Sequence, residues 1–389
     1  MRGKPRRLSL MTSPTEPRTA DVAALFDAGR LRQARRLAVM TKQALASQVG
    51  VSAAAVGQWE AGVNAPRPNV LEAVARVLDV PVPFFATGRP RAVLDSSDAH
   101  FKSLRATTVG QRSKALAYTE QVWELTHALE RWVQFPDINL PTPRSVDGPL
   151  DRASLREAAE ELREQWGIRL DEPFPHLTRT AEANGVVVVF ASFADDAEVK
   201  RISAFSTSKL SRPLVVTPPD RIDDVYRHRF NLAHELGHFA LHQDEVHGEI
   251  EIERDADAFA GELLLPERAM RAALRPKVEW DYVAHLSQKW GVEMKAIVYR
   301  SRQLGLLSDA SARRAYQRLE MMKSAGLVKS SPTARYEGET PVLLKRAFDY
   351  ARSEGVTVTD LAHELGWRES TVERLLGSGD GRPHLRPLL

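Results

Sequence analysis

FNLAHELGHFALH, at residues 230–242, sets two histidines four positions apart with an acid between them. On a helix, His234 and His238 are i and i+4, so both imidazoles leave one face. Two neutral imidazoles at that spacing can hold one zinc ion. Glu235, beside the first histidine, can take a proton from a water placed there. Leu232, Leu236, Phe239 and Leu241 supply apolar packing around the pair. Gly237 leaves room for a tight helix contact or for a substrate. The helix period and the metal spacing therefore agree.

A zinc ion needs a third protein ligand. The chain has no cysteine, so a carboxylate or another histidine must supply it. EIEIERDADAFAGELLLP follows at 249–266, and its DADAFAGELLL portion reads as a helix. Glu253 and Asp257 are also i and i+4. Glu251 and Asp255 stand as alternatives, because so dense an acidic cluster leaves the register open. Upstream, GVVVVFAS (185–192) and RPLVVTP (212–218) are β-branched runs of strand length, and RISAFSTS (201–208) reads as a third strand between them. A helix at 151–167 and a helical stretch near 175–184 precede these strands. After Pro219 the chain reads as helical nearly to its end. A helix-and-strand unit followed by helices predicts an α+β domain.

Composition sets the wider frame. With 389 residues the chain is too long for one ordinary core, and two or three domains are expected. It is 43% hydrophobic and 27% charged, the balance of a soluble globular protein. The absence of cysteine excludes disulfides, thiol catalysis and thiolate-bound zinc, and fits a reducing, cytoplasmic setting. The longest apolar run, 185–194, is about half a membrane span. The basic N-terminus is followed by no apolar segment, so it is not read as a signal peptide, and residues 1–20 read as a disordered tail. Residues 1–92 carry 14 Lys+Arg against 6 Asp+Glu within a chain of net charge +3. A basic block at one end points to nucleic acid there, or to a solvated basic tail, since four of those charges lie in the first seven residues.

Within that block, residues 31–62 read LRQARRLAVMTKQALASQVGVSAAAVGQWEAG. Thr41 is a good N-cap for KQALASQV, with Leu45 and Val49 facing inward. Gly50 falls where a left-handed residue must join two sharply crossed helices. Ser52 caps a second helix, AAAVGQWE, whose core residues are Val56 and Trp59. Its outer face carries Ala53, Ala54, Gly57 and Gln58. Small residues at its start allow close approach to base edges in a major groove, and Gln58 can pair with adenine. Lys42, Gln43, Ser52 and Arg67 complete the expected contact surface, with Arg32, Arg35 and Arg36 as further phosphate partners. The competing reading is a small helical bundle that only mediates association.

This stretch, over roughly residues 25–86, resembles the phage-repressor and Cro-like (Xre-type) helix-turn-helix through its ALAxxxGVSxxxVxxWExG spacing. Many relatives carry glutamine where this chain has Lys42, which weakens base readout there. Residues 155–305 resemble the ImmA/IrrE metallopeptidases. The resemblance rests on RFNLAHELGHFALH, ERDADAFAGELLLP and the preceding PLVVTP. It implies a compact zinc endopeptidase, some of whose relatives cleave repressor proteins. In the gluzincin pattern a downstream E-x-x-x-D helix supplies the third ligand. Similarity to it makes Glu253 the ligand and Asp257 the residue that orients a ligating histidine. Residues 95–389 also resemble longer Xre–ImmA regulators, with FKSLRA at 101–106 and EGETP at 337–341.

LAHELGW at 361–367 repeats part of the zinc helix. Trp367 replaces the second histidine, so His363 and Glu364 cannot form the same site. The surrounding TVTDLAHELGWRESTVERLLG looks like another helix-turn-helix. Thr359 is its expected cap, Gly366 its turn, and Val372 and Leu375 its core. It reads as an interaction domain, or alternatively as a second DNA reader. His242 and His247 are expected on the surface or in loops.

The sequence thus predicts a multidomain chain: a tail (1–20), an all-α helix-turn-helix head (21–90), a linker with a connecting helix (91–150), an α+β gluzincin-like metallopeptidase domain (151–308) and a helical C-terminal domain (309–389). Three function classes follow. One is a homodimeric, cytoplasmic, double-stranded-DNA-binding regulator with a working zinc endopeptidase acting on a protein partner such as a repressor. The second is a repressor whose metallopeptidase fold only senses a ligand or holds a partner. The third is an antitoxin-type protein dominated by association. Glu235 favours the first, since a site that only holds metal has no need of a base beside its ligand. The substrate is expected to pair with an edge strand over 213–217.

Overall fold

The computed structural model describes residues 17–95, 100–101, 108–142, 150–191, 205–207, 209–217, 224–242, 249–328 and 336–377. Contacts divide the chain into two units, one of Met1–Pro90 with Val358–Val372 and one of Arg91–Thr357 with Glu373–Leu389.

The first unit opens with α1 (Thr19–Ala24), α2 (Ala28–Leu37), α3 (Lys42–Val49), α4 (Ala53–Glu60) and α5 (Pro68–Val77). Local chemistry places these ends. The Thr41 hydroxyl accepts from Ala44 N at 3.0 Å, and the Ser52 hydroxyl accepts from Ala55 N at 3.2 Å. Between them Gly50 turns at φ 72°, where a side chain would be strained. Leu31, Leu45, Val56, Trp59 and Leu71 are buried at the centre of these helices. Thr19 and Ala20 already belong to α1, and residues 1–16 of the expected tail lie outside the described residues.

The second unit is mostly helical around a small sheet. Its strands are β1 (His100–Phe101), β2 (Val187–Phe190), β3 (Phe205–Thr207) and β4 (Leu214–Thr217). Its helices are α6 (Val109–Glu130), α7 (Arg152–Gln165), α8 (Leu177–Ala183), α9 (Val225–Leu241), α10 (Glu249–Leu264), α11 (Glu267–Ala273), α12 (Trp280–Trp290), α13 (Met294–Gln303), α14 (Asp309–Ser324) and α15 (Leu343–Ser353). Two more, α16 (Val358–Leu365) and α17 (Glu369–Leu375), close the described chain. No helix among the described residues is long and apolar enough to cross a membrane.

The sheet order is β1-β3-β4-β2, with β2 parallel to β4 and β3 antiparallel to β1 and β4. Val188 and Val215 are cross-strand partners and join the core built by α7, α9 and α10. Val187, Val189, Leu214 and Val216 are also buried and, by strand alternation, face the opposite way. Helices α6 and α15 contact that sheet as well. Burial on both faces explains the unbroken valine run where a half-exposed strand would alternate.

Four expectations need correction. First, β4 lies between β3 and β2, so 213–217 is no edge strand and its backbone groups are taken by neighbours. Second, α6 is not a bare connecting helix. It buries Gln111, Glu120, Gln121 and Glu124 along with its apolar residues, and the Trp123 indole donates to Ser211 Oγ at 2.9 Å. These buried polar residues hid its packing from an apolar-periodicity reading. Third, Thr359 lies inside α16 and donates to Glu369 Oε1 at 2.6 Å, rather than capping the helix. Gly366 does make the expected left-handed turn, and Val372 and Leu375 are buried. Fourth, His242 is buried at the end of α9, its ring 5.5 Å from that of His238. His247 and FKSLRA residues 102–106 lie outside the described residues.

The EGETP stretch forms a clasp. Glu339 is buried, and its carboxylate accepts from Leu177 N, Thr178 N and Thr178 Oγ1, each at 3.0 Å, and from the Arg229 guanidinium of α9. Glu182 of α8 returns the contact by accepting from Val342 N and Leu343 N at 2.8 Å each, the first amides of α15. Burial pushes the His228 imidazole down to about 4. Since the Thr178 hydroxyl proton goes to Glu339, neutral His228 donates its Nε2–H to Thr178 Oγ1 at 3.0 Å.

Candidate metal centre and nucleic-acid interface

Asp224 starts α9 by accepting from Tyr226 N at 2.9 Å and Arg227 N at 3.2 Å. The helix then runs through the core, so His234, Glu235 and His238 are all fully buried. Helix α10 crosses it closely at Gly237. A Cβ there would stand 3.0 Å from Phe259 Cδ1 and 3.2 Å from Ala256 Cα. The glycine therefore serves a helix–helix contact, and that contact brings Glu253 and Asp257 against the histidines.

The imidazole Nε2 atoms of His234 and His238 lie 3.1 Å apart. Glu253 Oε2 is 3.4 Å from the first and Oε1 3.5 Å from the second. One donor atom from each of these three residues falls within 4.8 Å of the others, the one such group found among the described residues. Glu251 and Asp255, the alternatives for this position, do not join it. Asp257 Oδ1 is 2.8 Å from His234 Nδ1. Nδ1 thus carries the proton that Asp257 accepts, and the Nε2 lone pair is turned to the cluster. Two imidazole nitrogens and one carboxylate are a donor set suited to zinc.

Glu235 is restrained from the sheet. Its Oε2 accepts from the Ser206 hydroxyl at 2.5 Å. Ser206 pairs with Val215 across the β3–β4 ladder, and cross-strand partners share a face, so this serine looks toward α9. Sequence reasoning missed Ser206. RISAFSTS offers three serines and a threonine, and only the strand register tells which one faces the helix.

In the first unit, Lys42, Gln43, Ser52, Ala54, Gln58 and Arg67 are exposed and Ala53 half-buried. Gln58 Oε1 accepts from Asn64 Nδ2 at 3.1 Å, and Gln43 donates to Ser47 at 3.4 Å. Buried Glu60 draws several basic residues inward. It binds Arg35 through both oxygens, at 2.5 and 3.0 Å, and stands 3.6 Å from Lys42 Nζ. The Arg32 guanidinium donates to the Glu60 carbonyl at 2.8 Å. Arg35 is therefore an internal strut rather than an available phosphate ligand.

Residues 181–302 match the family model described as the IrrE N-terminal-like domain, a peptidase family, and residues 31–85 match a helix-turn-helix model. The first match runs from the end of α8 through most of α13 and contains the whole histidine–glutamate cluster. The second spans α2 to the turn after α5. No curated protein matches the chain. The chain thus joins an Xre-type helix-turn-helix to an ImmA/IrrE-type metallopeptidase-like domain.

Proposed function

We propose that this chain is a DNA-binding transcriptional regulator whose second unit is a zinc-dependent endopeptidase acting on a protein partner. The observation that carries it is the convergence of His234, His238 and Glu253 beside a fully buried carboxylate, Glu235. A site kept only to hold metal has no use for that acid. The three converging residues would hold zinc, with Asp257 fixing the His234 ring. Zinc supplies Lewis acidity, which polarises a carbonyl and makes water acidic enough to lose a proton near neutral pH.

The chain's own residues supply the rest. Glu235 takes the proton from the attacking water and hands it to the leaving amine. Ser206 restrains the Glu235 carboxylate by donating to one oxygen. Gly237 keeps α9 and α10 close enough for the carboxylate of one to meet the imidazoles of the other. In the head, Ala53, Ala54 and Gln58 would face base edges, and Lys42, Gln43, Ser52 and Arg67 the backbone. The head would bind as a homodimer to two half-sites about one helical turn apart, as dimeric helix-turn-helix proteins do. A DNA-bound repressor, or a second copy of this chain, is the natural substrate, because tethering to DNA raises its local concentration.

The test is Glu235→Gln. It removes the base and leaves the ligands, so zinc content, fold and DNA binding stay while cleavage of a co-bound repressor falls by orders of magnitude. If the variant regulates its promoter in cells as the parent does, proteolysis is not the output. The second unit then acts by holding a ligand or partner.

A further inference from the structure

A cavity of about 570 Å³ opens between the start of α8, the first turns of α9, the end of α12 and the clasp that carries Glu339. Small-molecule sites span roughly 300–1,000 Å³. None of His234, Glu235, His238 and Glu253 lines it, so it is distinct from the candidate metal centre.

Its walls are cationic and aromatic. Arg179, Arg229, Lys289 and Arg346 line it against a single carboxylate, Glu339. Arg229 is committed within the fold. Besides Glu339, its guanidinium donates to the Phe174 carbonyl at 2.6 Å and the Gly291 carbonyl at 2.9 Å. Arg179 stands 3.5 Å from Glu182. Lys289 and Arg346 are exposed, and the excess positive charge of the lining lies with them. Trp290, Tyr226 and Tyr336 bring rings to the same walls. Trp290 is buried, and its indole N–H has no hydrogen-bond acceptor.

We propose that this cavity binds a small anionic molecule, one carrying a phosphate or carboxylate group on a planar apolar body. Lys289 and Arg346 take the charged group, as ammonium and guanidinium groups do for both anions. The planar part lies against the aromatic wall. An open cleft of this size suits a small molecule better than a folded partner. Tyr336, Gly338 and Glu339 belong to the clasp, while Tyr226 and Arg229 belong to the helix that carries His234. An occupant therefore touches both at once, and so could couple the clasp to the helix that carries His234. The inference goes beyond the peptidase reading and does not depend on cleavage.

The experiment is calorimetric titration of the full chain with phenyl phosphate, benzoate and inorganic phosphate. Saturable binding of phenyl phosphate or benzoate at about one per chain is expected, and whichever binds tighter identifies the headgroup. Inorganic phosphate, which lacks the ring, should bind at least about tenfold more weakly than phenyl phosphate. Lys289→Glu and Arg346→Glu, both surface changes, should each weaken binding by about tenfold or more with far-ultraviolet circular dichroism unchanged. If either reversal disturbs the fold, Lys289→Gln or Arg346→Gln is read in its place. No saturable binding by either aromatic anion, or binding unchanged in both variants, overturns the proposal.

Discussion

Asp257 holds His234 by its far nitrogen: Oδ1 lies 2.8 Å from Nδ1, and this fixes Nε2 as the atom offered to the cluster. The two residues come from different helices, 23 positions apart. Losing such an orienting carboxylate commonly costs about 10- to 100-fold in metal affinity. Asp257→Ala should therefore bind zinc that much more weakly, measured by competition with a chromophoric chelator. The parent affinity in this variant would remove Asp257 from the site.

The approach of α9 to α10 depends on a missing side chain. A Cβ at Gly237 would press on Ala256 Cα at 3.2 Å and Ala256 O at 3.3 Å, backbone atoms that cannot turn aside. Gly237→Ala should cost about 1–3 kcal/mol, the usual range for overpacking. Because Glu253 sits on the displaced helix, zinc affinity should fall with it. A thermal melt and a chelator titration on one sample read both effects, and parent values in both would contradict the packing argument.

Glu182 gives the clasp a pH dependence. Burial raises its carboxyl from the ordinary value near 4.5 to about 7, against the hydrogen bonds from Leu343 and Val342. Below about 4.5 both folded and unfolded states are protonated, and no difference arises. Between about 4.5 and 7 the unfolded chain is ionised while the folded one keeps its proton, so stability falls as pH rises. Above 7 the full loss is present, on the order of 3 kcal/mol. Glu182→Gln keeps a carbonyl for the two amides and removes the ionisation. Denaturant unfolding of parent and variant at acidic and alkaline pH should show the variant gaining relative stability as pH rises; parallel profiles would count against it.

Ala53 is the first residue of α4 and only half-buried. A glutamate there suits the positive end of the helix dipole, so the head stays folded. It also sets a negative charge where a DNA groove would lie. Ala53→Glu should abolish duplex binding in a gel shift, and the parent's binding should fall steeply with salt. Equal binding by the variant would move the recognition surface elsewhere.

Short-range spacing carried much of this protein. Four-residue intervals put His234 with His238 and Glu253 with Asp257, because a helix repeats every 3.6 residues wherever it lies. Thr41, Gly50 and Ser52 marked the turn of the head for a similar reason: a cap or a left-handed residue acts on amides within three positions. What the sequence left open lies between distant segments. That Ser206 faces Glu235, that β4 is interior, that Glu339 enters a buried pocket 162 residues from Leu177, and that 358–372 groups with the head are long-range facts. A one-residue slip of strand register reverses which side chains face the core, and no local preference fixes it. Pairings of this kind are decided when whole surfaces pack together, since only then does the free energy of burial outweigh the entropy of closing long loops.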